Sequence, residues 1–449
     1  VVQKLSAMRE MFVNHLSTYL TGGATIAARR LHHALLDAGH ESRFLYGRES
    51  KTLEVDDSYD QVSWAKPPGI DIRRRLTKSM HWPRRLLLKI KQRRALPARD
   101  KRVDFFSFCQ RIPTTPFPLE IDHDQILHLH WVANLFDYAT FFQSIPVEFP
   151  IVWTMHDMNV FTGGCHYSGD CQKYVAGCNH CPQLARPGMS DLAQQTYQTK
   201  LQAYVGKNLH IIAPSRWIER EASRSELLKD CRSIQTIHYG LDTTQFVPKN
   251  KLESKRQLGL PADALVIAFG ADVVNNPRKG VKYLLDALSQ IKHDNVLGIY
   301  FGSGALPVVD RNLPSMRALG FVKDPAQLAA AYSAADLFVI PSLEDNLPLT
   351  GLEAMACGTP VVGFAAGGIT DYVRPGETGL LAQVRDAADL AGQIQWMLDH
   401  PQDRQRMGTQ ARKMVEREFN RVTQTQRHVE LYQSLLAHSK QGTFPNRAA

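Results

Sequence analysis

Pro341-Ser342-Leu343-Glu344-Asp345-Asn346-Leu347-Pro348-Leu349-Thr350-Gly351-Leu352-Glu353-Ala354-Met355-Ala356-Cys357-Gly358-Thr359-Pro360-Val361-Val362 links two short apolar runs. Leu337–Ile340 before it and Thr359–Gly363 within its end are β-prone. The stretch therefore reads as strand, acidic loop, helix over Thr350–Ala356, strand, and such a unit implies parallel neighbours. Free N–H groups at a helix start beside a strand end make a ready phosphate site. Glu353, expected in the first turn, would set an acceptor-only carboxylate against a ribose diol. Asp345 lies eight positions earlier, close enough across the loop to hold sugar hydroxyls.

The same alternation extends in both directions. Upstream of the quoted stretch come strand Leu265–Gly270, helix Gly280–Ile291, strand Leu297–Phe301, turn Gly302-Ser303-Gly304, strand Ala318–Phe321 and helix Pro325–Ser333. The first half repeats the theme: strand Met11–Leu16, turn Thr21-Gly22-Gly23-Ala24, helix Thr25–Ala38 and strand Arg43–Tyr46. Strands Gln125–His130, Ile151–Met155 and His210–Ala213 follow. The expected fold class is α/β, two doubly wound Rossmann-like domains facing across a cleft, with ligands at the strand C-termini. Turn residues and Pro248 place the join near Tyr239–Lys251. The expected domains are 1–240, with a basic insertion at about 57–104 and a cysteine loop at 161–184; 241–420; and a helix in 421–449 returning to the first.

Length and charge agree with two domains and narrow the partners. The 449 residues carry 53 Lys+Arg against 44 Asp+Glu, a net charge of +9, with 44% hydrophobic residues. That profile excludes a disordered or fibrous chain. No apolar run reaches transmembrane length, Val1–Glu10 lacks the apolar region of a secretory signal, and seven cysteines suit a reducing, cytoplasmic compartment. Between Arg73 and Arg102 stand thirteen basic residues and one acid, a net of +12, leaving −3 for the rest. Trp82, Leu86, Leu87, Leu88 and Ile90 interrupt these charges, and Pro83 sits where a helix could begin. A basic amphipathic helix suits adsorption to the anionic inner face of a membrane. A solvated surface insertion is the alternative. Nucleic acid is not expected, because no reading motif or stacking platform accompanies the charge.

Taken in order, these pieces resemble a retaining glycosyltransferase of family 4, with the two-Rossmann-domain architecture called the glycosyltransferase B-type fold. The resemblance spans roughly 340 residues and rests most on Asp345, seven residues, Glu353 and the following Ala356-Cys357-Gly358-Thr359-Pro360-Val361-Val362. The family carries Glu at the first of these positions, so Asp345 is one methylene shorter, and Glu344 could serve in a shifted loop. The resemblance implies donor binding by Gly22, Gly23, Arg278, Lys279, Val322, Glu344, Asn346, Leu347, Pro348, Leu349, Thr350 and Glu353. Catalytic roles fall to His156, Asp345 and Glu353. In Pro277-Arg278-Lys279-Gly280 the two cations would offset the diphosphate without a metal cofactor, while Asn275-Asn276 look inserted relative to the family. His156 in Trp153-Thr154-Met155-His156-Asp157 follows a strand, where relatives set a His against the donor sugar; His128 and His130 are read as lining the same cleft.

Cys165, Cys171, Cys178 and Cys181 fall within 17 residues, separated by five, six and two. Four thiols at this spacing suit a structural zinc, with two disulfides or labile thiols, and simple burial, as alternatives. Similar loops occur in a bacterial exopolysaccharide and lipopolysaccharide branch of the family. The implied reaction moves a sugar from a nucleotide diphosphate-sugar to a lipid-linked saccharide acceptor by same-side attack, with the protein peripheral on the inner face of the cytoplasmic membrane. A nucleotide-sugar epimerase of the same architecture, and a nucleic-acid-binding protein using 73–102, are the rivals.

Overall fold

A computed structural model describes residues 11–48, 55–62, 86–96, 105–111, 124–307 and 312–441. They form two compact α/β units. The first unit contains β1 (Phe12–Ser17), α1 (Gly23–Asp37), β2 (Glu41–Tyr46), β3 (Tyr59–Gln61), a helix α2 at 86–95, β4 (Gln125–Leu129), α3 (Tyr138–Gln143), β5 (Ile151–Thr154), α4 (Leu192–Tyr204), β6 (Leu209–Ala213), α5 (Arg216–Ser223) and β7 (Ser233–Thr236). Its seven strands are all parallel, in the order β3-β2-β1-β4-β5-β6-β7.

The second unit holds α6 (Lys251–Gln257), β8 (Leu265–Val273), α7 (Val281–Leu288), β9 (Val296–Ser303), β10 (Ser315–Gly320), α8 (Pro325–Ala334), β11 (Leu337–Ile340), α9 (Leu349–Ala356), β12 (Val361–Phe364), β13 (Gly379–Ala382), α10 (Ala387–Asp399) and α11 (Pro401–Glu418). Its sheet is parallel, in the order β10-β9-β8-β11-β12-β13. Both orders start outward from a central strand and then reverse, so each sheet has a switch point: between β1 and β4 in the first, between β8 and β11 in the second. Loops leaving the two central strands part there, which opens a crevice at their C-terminal ends.

Local chemistry explains where the helices begin. Asp137, Asp191, Asp324 and Asp386 each accept a backbone N–H at the start of α3, α4, α8 and α10, and Pro325 supplies the first residue of α8. The strands between them are buried on both faces, as in β5, β11 and β12, which is why they read as unbroken apolar runs. The last helix, α12 (Arg421–Gln441), groups with the first unit from Thr425 onward. Tyr432, Leu435 and Leu436 complete a core cluster with Val13, Leu31, Leu35, Ile126 and Val152.

Some elements differ from the sequence reading. β3, at residues assigned to the basic insertion, pairs with β2 through Phe44, Leu45 and Tyr46; three residues, two of them polar, carry too little pattern to announce a strand. β7, four residues of mixed polarity, escaped for the same reason, and β13 because four residues are too few to show a pattern. The first unit ends at Ile237 before the chain passes into the second. Within Arg73–Arg102 only 86–96 are described, so Trp82 and Pro83 lie outside the described residues. Residues 86–95 are helical, with Leu86 43% and Leu87 65% exposed beside Lys89, Lys91, Arg93 and Arg94. Among the described residues no helix is long and apolar enough to cross a membrane.

Candidate functional site

The second unit gathers charge at its switch point. After β8 the chain makes a 3-10 turn over Pro277–Lys279, capped by the Asn276 side chain accepting from Arg278 N. Gly280 then takes φ 69° and approaches the end of β11 so closely that a Cβ there would lie 1.8 Å from the Pro341 carbonyl oxygen. Leu343 N donates to the Arg278 carbonyl, locking the two loops together. Arg278 and Lys279 are thereby held over the loop that leaves β11.

Asp345 sits between them. Lys279 Nζ is 2.5 Å from its Oδ2 and Arg278 Nη1 is 3.2 Å from its Oδ1, while Ser342 Oγ donates to Oδ2 at 3.2 Å. Arg278 also donates to the Glu344 carbonyl at 2.6 Å. Burial by itself would raise the Asp345 carboxyl, but Lys279 and Arg278 hold it down at about 2. Burial pulls the Lys279 ammonium below its usual range, with Asp345 opposing. Two cations thus share the Asp345 carboxylate at a strand end, with Asp272 also acting on Lys279.

The expected donor residues fall into distinct settings. Asn346, Leu347 and Pro348 are buried, with Pro348 as the N-cap of α9, and Leu349 and Thr350 occupy its half-buried first turn. Because the helix starts at Leu349, Glu353 falls in the second turn, not the first; it is buried, and Tyr332 Oη donates to its Oε2 at 3.0 Å. Val322 follows the end of β10 and is half-buried. Sequence reasoning missed Gly367 and Gly368, whose Cβ atoms would come within 1.9 Å of the Asp345 and 1.8 Å of the Asn346 carbonyl oxygens. Gly368 N donates to the Asp345 carbonyl, so this pair shapes the acidic loop from behind; Gly-Gly just after a strand was the available signal. Asn276, read as an insertion, is the cap of the cationic turn, and Asn before Pro was its signal.

In the first unit, Gly22 at φ 95° precedes α1, and a Cβ on Gly22 or Gly23 would meet nothing within 4 Å. The start of that helix is open to close approach. His156 is buried just beyond β5, and its Nε2 lies 3.1 Å from His130 Nδ1; His130 Nε2 is in turn 2.9 Å from His15 Nδ1. Burial pulls His156 down to about 4, against Asp157, so the ring is neutral at ordinary pH. Asp157 accepts from Trp131 Nε1 at 2.9 Å and faces His166 Nδ1 at 2.6 Å. His128 does not line an opening: it is fully buried under α12, bonded to Tyr432 Oη and Thr154 Oγ1, both at 2.7 Å.

Residues 264–400, which contain the whole cationic site, match the family model for glycosyl transferases group 1. That stretch of the second unit is therefore similar to the domains of group 1 glycosyl transferases. It is 30% identical over 250 residues to a D-inositol 3-phosphate glycosyltransferase of Stackebrandtia nassauensis, covering 51% of this chain and 56% of that protein. It is 35% identical over 185 residues to D-inositol 3-phosphate glycosyltransferase 1 of Catenulispora acidiphila, covering 37% and 44%. The chain spans about half the length of the curated relatives it matches. In fold it is similar to the sucrose-phosphate synthase of Thermosynechococcus elongatus, with a TM-score of 0.62 at 22% identity over 95% of this chain and 100% of that one. HepE of Anabaena, solved in complex with UDP and glucose, gives 0.62 at 17% identity over 95% and 100%. Both are two-domain Rossmann-like glycosyltransferase folds, the architecture found here.

Proposed function

We propose that the chain is a retaining glycosyltransferase that moves a sugar from a nucleoside diphosphate-sugar to a saccharide hydroxyl. The observation that carries this reading is the Arg278–Asp345–Lys279 cluster at the switch point of the second sheet, beside the start of α9 and inside the matched domain. A diphosphate arriving there meets two cations that share the Asp345 carboxylate and the N-terminus of α9, which lacks a side-chain cap, enough to stabilise its charge as it leaves. HepE's complex with UDP makes a uridine nucleotide the first donor to test.

In the proposed reaction the bond from the anomeric carbon to the β-phosphate oxygen breaks while the acceptor oxygen bonds the same face. The acceptor's proton passes to the departing phosphate oxygen, so no protein nucleophile is needed. Glu353 is assigned to the nucleotide ribose. His156, held neutral, is the first unit's candidate for orienting a sugar hydroxyl. The acceptor is assigned to an anionic membrane surface, in cell-surface or exopolysaccharide synthesis. Support for that part comes from α2, whose exposed Leu86 and Leu87 stand among exposed cations.

The test uses the full chain, UDP-glucose and a saccharide or membrane-extract acceptor, with the anomeric configuration of the product followed by NMR. Glu353→Ala and Lys279→Ala are each expected to cut transfer by about 100-fold. Full activity in both variants would overturn the site, an inverted product would overturn the mechanism, and donor conversion without acceptor would favour an epimerase.

A further inference from the structure

Residues 162–191 contain one 3-10 turn, Lys173–Val175, and a single isolated bridge from Cys165 to Phe106. Yet Cys165, Cys178 and Cys181 are buried within this segment. A stretch with so little regular hydrogen bonding needs another source of order. All four of its cysteines line one cavity of about 10 Å³, room for a single water-sized body. No carboxylate or imidazole lines that cavity. No disulfide joins any of the chain's seven cysteines.

We propose that Cys165, Cys171, Cys178 and Cys181 bind one structural zinc ion that staples this loop. The donor set is all soft sulfur, which selects zinc over the hard cations, and four ligands match its tetrahedral preference. The backbone is bent to suit: Cys178 and His180 both take left-handed φ angles, 52° and 45°, in the Cys178-Asn179-His180-Cys181 turn. Neither is glycine, so the turn is held against a steric cost. Gly163 N donates to Cys178 Sγ at 3.1 Å, the kind of contact that supports a charged thiolate.

An independent observation comes from α4. Lys200 is fully buried, and its ammonium donates to the Asn159 carbonyl, to Asn159 Oδ1 at 3.4 Å and to the Thr162 carbonyl at 3.0 Å. None of these is a carboxylate, so the charge has no bonded counterion among the described residues. Cys109, Cys165, Cys178 and Asp157 are all close enough to act on it electrostatically. Zinc exchanges four thiol protons for one divalent ion and leaves a dianionic centre, which joins Asp157 as an anion acting on Lys200; Lys173, on the cavity wall, adds a second cation.

The histidine cluster is a weaker rival. His15, His128 and His130 offer ligand atoms within 4.8 Å of one another. However, both nitrogens of His128 and of His130 are already hydrogen-bonded, so a metal there would break a satisfied network. The four sulfurs ring their cavity more loosely than these nitrogens, and closure on an ion takes side-chain rotation within the loop.

The experiment is elemental analysis of the full chain purified without chelator, with mercurial release of the bound metal. One zinc per chain is expected, lost in Cys178→Ser and Cys181→Ser and kept in Cys231→Ser, a buried thiol outside the loop. If the loop variants do not fold, cobalt titration of reduced, metal-stripped wild-type chain decides: the d–d bands of a tetrahedral tetrathiolate site are expected. Zinc well below one per chain together with absent cobalt bands, a disulfide among the four cysteines, iron in place of zinc, or zinc retained in both loop variants would each overturn the proposal.

Discussion

Asp345 stands under opposing pressures, since burial favours its neutral form and the two cations favour its charge. The cations win, so its folded pKa of about 2 lies below the unfolded value. The cluster therefore contributes its full stability above the unfolded carboxylate pKa, and that contribution drains as pH falls from there to about 2. Asp345→Asn should destabilise the chain by about 3 kcal/mol in chemical denaturation, because Arg278 and Lys279 lose their shared counterion. Diphosphate affinity should not fall in this variant, since Asp345 competes with phosphate for the same cations; a large loss would show that Asp345 shapes the site beyond that competition. Arg278, Lys279 and Asp345 were legible in the sequence through the family resemblance and their order along the chain, because an Arg-Lys pair before a glycine carries little signal by itself. The turn of α9 on which Glu353 stands was not, because a proline at the N-cap hides the helix start by one residue, the usual uncertainty of helix boundaries.

α12 ties the end of the chain into the first unit's core. Leu435→Ala should cost about 2–5 kcal/mol in denaturant unfolding, as a buried leucine in a close-packed cluster does. Tyr432→Phe should cost about 1–3 kcal/mol, since it strands the fully buried His128 Nδ1. If both variants unfold like wild type, the helix is not a structural part of that unit. The amphipathic pattern from Thr423 announced this helix, and apolar strand runs announced most of both sheets. β3 and β7 stayed hidden because they are short edge strands with polar residues, where pairing and not side-chain pattern decides the structure.

The whole molecule carries an unusual load of buried imidazole. His15, His128 and His130 are held well below the ordinary histidine value by burial, and His32, His156 and His210 at about 4. A depressed histidine stabilises the fold fully above its unfolded pKa near 6.5, and that contribution drains as pH falls toward 4. The melting temperature should therefore drop by several degrees, on the order of 5 °C or more, between pH 7 and 5. A flat profile across that window would mean these rings are charged in the folded state. Charge asymmetry, in contrast, was visible from the sequence alone, because adding up side chains needs no fold. Arg278 and Lys279 are proposed to receive a nucleoside diphosphate without help from a divalent ion. Calorimetric titration of UDP into the full chain in EDTA tests it most directly: binding is expected in wild type and about tenfold or more weaker in Lys279→Ala. Equal affinity in the two proteins, or binding that appears only when a divalent cation is added, would contradict it.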